Sequence, residues 1–145
     1  MKQKIQFFFC IIILIELLGC ATPIPYTPKA SKSFSENQNV IKRILSEQPV
    51  KFAPNNIIIT NEYIQINKIT YKRSFHTYGI TTLPELTTIY FSSIGESKIY
   101  HKGKYFIVMI YDTNKNFRYK VFTPSEEDAR QFVDAVYSLK KAKNE

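Results

Sequence analysis

His76 and His101 are the chain's only imidazoles, and Cys10 and Cys20 its only thiols. A zinc site on two histidines would need carboxylates to complete a tetrahedral set, and no HxxxH or DxD spacing supplies them. Each histidine reads instead as an ordinary strand or turn residue. Glu126 and Glu127 are adjacent carboxylates, but they fall in the first turn of an expected helix, where the helix dipole favours negative charge. There is no GxSxG, P-loop or GxGxxG, and after residue 20 glycine occurs only at positions 79, 95 and 103, too sparsely for a phosphate cradle. These patterns predict a non-enzymatic protein with no catalytic residue, no metal and no cofactor.

What remains is positive charge. Lys68, Lys72 and Arg73 surround Tyr71 in the run KITYKR and form a candidate anionic-ligand patch. Lys98, His101, Lys102 and Lys104 form a second basic group within one expected hairpin. The formal net charge is +8, which suits anionic lipid headgroups or an acidic partner. The ordinary alternative is a solvated sheet edge protected by charge against strand pairing.

These groups must be placed by the elements around them, beginning with the N-terminus. Lys2 and Lys4 precede nine apolar residues from Phe7 to Ile15, followed by Glu16, Leu17 and Leu18. Nine residues of helix span roughly 14 Å, about half of a bilayer's hydrocarbon core. A basic start, a short apolar run and a small residue before a cut describe a secretory signal peptide.

Leu17-Leu18-Gly19-Cys20 resembles the bacterial lipobox. The resemblance implies alkylation of Cys20 by diacylglycerol, removal of residues 1–19, and a lipoprotein held in the membrane by palmitate-type acyl chains on its first residue. Leu18 is bulkier than the residue usual at its position, and Glu16 places a carboxyl group in the apolar run. Two or three acyl chains, at about 0.8 kcal/mol per buried CH₂, anchor firmly where a single chain does not. Cys10 would leave with the signal and Cys20 would carry lipid, so the mature chain would have no free thiol and no disulfide. Losing Lys2, Lys4 and Glu16 takes the formal charge from +8 to about +7. Ala21, rather than aspartate, follows Cys20, which points to the outer membrane of the bacterial cell envelope. Nucleic acid is not an expected partner in that compartment.

Residues 20–34 contain Pro23, Pro25 and Pro28 and read as a tether, able to hold a domain roughly 40 Å from the bilayer if extended. Residues 35–49 read as a short helix: Ser35 and Gln38 have capping-box form, Val40, Ile41, Ile44 and Leu45 make one stripe, and Gln48-Pro49 ends it. Residues 50–143 form the expected domain. Strand-like runs recur at 57–60, 63–67, 70–75, 87–92, 97–101, 105–112 and 117–122, with turn-length gaps that require antiparallel pairing. The run 105–111 is apolar on both faces and reads as a central strand. Thr123, Pro124 and Glu126 read as a helix start, followed by an apolar face of Ala129, Phe132, Val133, Val136 and Leu139, with Glu126 and Arg130 paired outside.

About seven short antiparallel strands closed by one amphipathic C-terminal helix resemble the pleckstrin-homology-like fold. The resemblance rests on the strand-turn-strand opening Ile57-Ile58-Ile59-Thr60-Asn61-Glu62-Tyr63-Ile64, on Leu86-Thr87-Thr88-Ile89, and on the closing helix from Thr123 to Leu139. It implies an α+β fold, a small, mostly-β barrel or sandwich capped by that helix. The chain has no tryptophan, so Phe132 would take the place of the tryptophan many such helices bury. Such scaffolds mainly bind proteins, peptides or lipid headgroups, and fold alone does not choose among them. The leading expectation is a lipid-anchored envelope protein whose domain binds a protein or peptide partner. The alternative is recognition of anionic headgroups through the basic hairpin of Lys68, Lys72 and Arg73.

Overall fold

The computed structural model of the protein describes residues 21–30, 33–73 and 80–144, with side chains throughout except at 71–73, 80–82 and 143–144. The signal segment, Cys20 and His76 lie outside the described residues.

The elements run β1 (Thr22–Ile24), α1 (Phe34–Ser46), β2 (Asn56–Ile59), β3 (Tyr63–Arg73), β4 (Ile80–Tyr90), a 3₁₀ turn (Phe91–Ser93), β5 (Ile94–Lys102), β6 (Tyr105–Asp112), β7 (Phe117–Thr123) and α2 (Glu126–Asn144). Seven antiparallel strands lie in two sheets among the described residues, ordered β2-β3-β4 and β1-β5-β6-β7. The architecture is α+β, with two sheets, two helices and no closed barrel among the described residues.

Two features keep the sheets apart. The 3₁₀ turn interrupts the chain between β4 and β5 and sends Phe91 fully into the core. At the other end, the outer edge of β7 is occupied by a side chain. The Gln48 amide donates to Phe122 O at 2.7 Å and accepts from Phe122 N at 2.8 Å, as a neighbouring strand would. Gln48 also donates to Ile44 O at 2.9 Å and is 6% exposed. Gln48→Ala would strand buried strand-edge groups without a partner, so it is expected to cost about 1–3 kcal/mol. A urea melt with a lower midpoint and unchanged slope would show this; an unmoved midpoint would refute it.

One core joins both helices to both sheets. Ile41, Ile44 and Leu45 of α1 and Phe132, Val133, Val136 and Leu139 of α2 meet Ile64, Ile66 and Ile89 of one sheet and Ile99, Val108, Ile110 and Val121 of the other. β6 lies between β5 and β7 with the expected bounds Tyr105–Asp112. The expected runs 63–67 and 70–75 merge into one strand, β3, as far as Arg73. β4 begins at Ile80 instead of 87, and it carries Pro84 opposite Ile69. β4 is an edge strand, where a missing N–H is tolerated.

Both helix caps sit two residues from their expected positions. Ser33 and Glu36, rather than Ser35 and Gln38, form the capping box of α1. At α2, Ser125 accepts from Asp128 N at 3.1 Å and donates to its carboxylate at 2.7 Å. Thr123 is the last residue of β7, and its hydroxyl donates to Phe106 O and Ser125 O, so it is unavailable as a cap.

Within the expected tether of residues 20–34, the described stretch 21–30 differs most from the reading of a free segment. Thr22, Pro23 and Ile24 pair with His101, Tyr100 and Ile99, so β1 is the edge strand of the larger sheet. Edge position again accommodates the proline.

Candidate functional site

Beyond Ile24 the chain leaves β5 and crosses to α2. The Tyr26 hydroxyl donates to Asp134 Oδ2 at 2.8 Å, and Lys29 N donates to Oδ1 of the same carboxylate at 2.7 Å. The Arg130 guanidinium lies 5.0 Å from the Tyr26 ring centre, within cation–π range. One carboxylate on α2 thus fastens the proline-rich segment at two points, and Pro28 stiffens the span between them. We refer to 22–29 as the strap.

Because the strap departs at Ile24, β5 runs on alone from Ile94 to Lys98 along that edge among the described residues. Strap, strand edge and helix enclose a cleft of about 500 Å³. Ile24, Pro25 and Tyr26 form one wall, Gly95 to Lys98 the middle, and Val136, Tyr137 and Lys140 the other wall. Lys140 Nζ lies 3.4 Å from Gly95 O, and Glu96 and Lys98 pair at 2.8 Å on the rim. That pairing raises the Lys98 pKa, its hydrogen bond to Glu96 being the chief cause. Gly95 marks a register shift between β5 and β6. A Cβ there would stand 2.3 Å from Asp112 O, so no larger residue fits without moving backbone. The cleft combines unpaired strand backbone with apolar walls, a geometry suited to holding an extended peptide by main-chain hydrogen bonds.

Partial burial, and next the hydrogen bond to Asp134, push the Tyr26 pKa up to about 12. The docked phenol therefore stays protonated where a free one, near 10, ionises. Docking is fully supported below about pH 10, weakens as pH rises from there, and is lost as pH passes about 12. Tyr26→Phe is expected to speed amide exchange at Ile24 about two- to tenfold at neutral pH and to delete the late-titrating phenol from the ultraviolet titration. Unchanged exchange and an unchanged titration would show that Tyr26 does not fasten the strap.

The residues singled out from sequence are distributed differently. Lys68 lies opposite Glu85 on β4 and pairs with it at 3.1 Å. Lys72 and Arg73 occupy β3 opposite Thr81 and Ile80, and their side chains lie outside the described ones. The first member of the candidate patch therefore already has a carboxylate partner. His101 is exposed on β5 with its ring 4.7 Å from that of Phe106. Among the described residues no group of three or more His, Cys, Asp or Glu is placed to hold a metal. No described helix is long and apolar enough to cross a membrane. Sequence reasoning missed the strap, Asp134 and the open stretch of β5. The one local signal was an aromatic residue, Tyr26, set among prolines.

No family model, curated protein or solved structure matches this chain.

Proposed function

We propose that this is a lipid-anchored, non-enzymatic protein of the bacterial cell envelope, attached through acylated Cys20, whose domain binds an extended segment of a protein partner. The cleft between strap, β5 edge and α2 is the observation that carries the binding reading. It offers the edge-facing main-chain groups between Glu96 and Lys98 and apolar walls for alternate side chains. The signal-like N-terminus and the lipobox-like Leu17-Leu18-Gly19-Cys20 support the anchoring reading. Two sequential three-stranded meanders, β2-β3-β4 and β5-β6-β7, followed by a C-terminal helix, support the pleckstrin-homology-like reading of the domain.

The test uses the purified chain in detergent against a displayed peptide library. Selected peptides are expected to protect those amides between Glu96 and Lys98 that point away from β6, alternate ones along the strand, and to bind at least about tenfold more weakly to Lys140→Glu or Tyr137→Ala. A library that yields no binder, or binders that protect only the β2-β3-β4 sheet, would overturn the assignment to this cleft.

A further inference from the structure

The pairing of β1 with β5 sets where the described chain begins. Thr22 stands opposite His101, beside the two-residue turn Gly103-Lys104 that joins Lys102 to Tyr105. Gly103 takes the first position of that turn with φ +60°, which favours glycine. Cys20 is two residues before Thr22, at most about 7 Å of chain. A lipid on Cys20 would thus enter the bilayer next to this end of the sheet, not at the end of a long tether.

This end carries a distinctive surface on the face turned away from α2. Tyr105 lies opposite Lys102, and Ile107 opposite Phe122, so by strand alternation they share the face opposite buried Val108 and Val121. Phe52 stacks on Phe122 with ring centres 4.6 Å apart, and Tyr105 meets Phe122 edge-on at 5.8 Å. Over these three half-buried rings stand three lysines: Lys51 at 5.9 Å from Phe52, Lys104 at 5.2 Å from Tyr105 and Lys120 at 5.4 Å from Phe122. Lys102 adds a fourth charge at the turn. None of the four has a carboxylate partner among the described residues, whereas Lys68 and Lys98 are paired. Glu47, nearby in sequence, is engaged by Arg43 at 3.2 Å. Beside Lys51, Val50 is 96% exposed.

We propose that this lysine-and-ring surface is a membrane-docking face that lies on anionic headgroups and seats the domain flat on the bilayer that holds its anchor. Rings that bury an apolar body at the interface, with lysines free to reach phosphate, suit the boundary between headgroups and acyl chains. The single exposed valine is placed to dip into the same layer. The inference rests on the lipid-anchor reading for its orientation. The occupant is a lipid surface because the charge is unpaired, of one sign, and adjacent to the anchoring end.

The experiment uses the full chain with Val50→Cys, the only free thiol once Cys10 is removed and Cys20 acylated, labelled with an environment-sensitive fluorophore. Intact mass establishes first whether the chain starts at acylated Cys20. The acylated protein is then placed in vesicles of phosphatidylcholine alone or with 30% phosphatidylglycerol. A blue shift at position 50 with the anionic vesicles, reversed by 0.5 M salt and absent for a label at Asn114→Cys, is expected. Changing Lys51, Lys102, Lys104 and Lys120 to Glu should abolish it. Identical emission in both vesicles would overturn the docking face while leaving the anchor intact. Should the mass show no acyl chains, the anchor reading fails by itself, and cosedimentation of the same chain decides the face. Roughly hundredfold weaker binding to the anionic vesicles on changing the four lysines upholds it; equal or no binding rejects it.

Discussion

A Cys20→Ser chain is expected to lose the mature, acylated form altogether. Serine offers no thiolate to alkylate, so the lipid cannot be added and the cut before residue 20 should fail with it. Intact mass of the membrane fraction then separates the two proteins. The wild type should begin at Cys20 and exceed its polypeptide mass by its acyl chains, while the variant should retain residues 1–19 and carry no added mass. The energetic stake is large. With each buried CH₂ contributing about 0.8 kcal/mol, the second acyl chain turns a marginal association into a lasting one. A chain started at Ala21, without signal or lipid, should partition into vesicles on the order of 10⁴-fold less. Its residual binding would come from Lys51, Lys102, Lys104 and Lys120 and should vanish at high salt. An unmodified full-length mass in the wild type would remove the anchor, and the orientation argued from β1 would lose its premise.

The docked strap changes what an anchor would do here. A free proline-rich segment would display the domain at a distance. A segment that starts a sheet at Thr22 and is fastened to Asp134 would hold the domain close to an anchor at Cys20. The cleft opens beside the strap, so the segment that would lead to a lipid on Cys20 forms one of its walls. Occupancy of the cleft and tension on the N-terminus therefore act on shared contacts.

How much of this the sequence made legible follows from the range of the interactions. The α2 face was readable because its apolar residues recur at helical spacing: Ala129, Phe132, Val133, Val136 and Leu139 are all at most 2% exposed. β6 was readable because a run apolar on both faces can only lie between other strands. The caps were misplaced because each helix start offers two hydroxyl residues two positions apart; at α1 the choice rests on the local box of Ser33 with Glu36, and at α2 Thr123 is drawn into β7 and toward Phe106. β4 reaches back past the expected start at Thr87 to Ile80 and passes through Pro84, which a strand accommodates at an edge, and edge position is set by the fold and not by local pattern. The strap was illegible for a different reason: Tyr26 and Asp134 are 108 residues apart, and no local pattern links them. The ring-and-lysine face shares this difficulty. Lys51 and Phe52 lie some 70 residues before Phe122, and only the fold stacks them.

Phe132→Ala is expected to be the most destabilising single change in the folded domain. Phe132 is 1% exposed, is among the largest fully buried side chains and sits midway along α2, where the helix meets both α1 and the larger sheet. Truncating a buried phenylalanine loses its transfer free energy and leaves a cavity, about 3–5 kcal/mol together. A domain of this size is held by about 5–15 kcal/mol, so one substitution removes at least about a fifth of the margin. The urea midpoint should fall accordingly with the slope unchanged, and Phe132→Leu, which keeps most of the volume, should lose less than half as much. A loss below about 1 kcal/mol would mean that α2 closes over the gap, and Phe132 would not be the centre of the core. The consequence reaches the site because Asp134, Val136, Tyr137 and Lys140 ride on the same helix. A loosened α2 should therefore release the strap before the sheets unfold. In Phe132→Ala, amide exchange at Ile24 should rise under conditions where Val108 and Val121 remain protected.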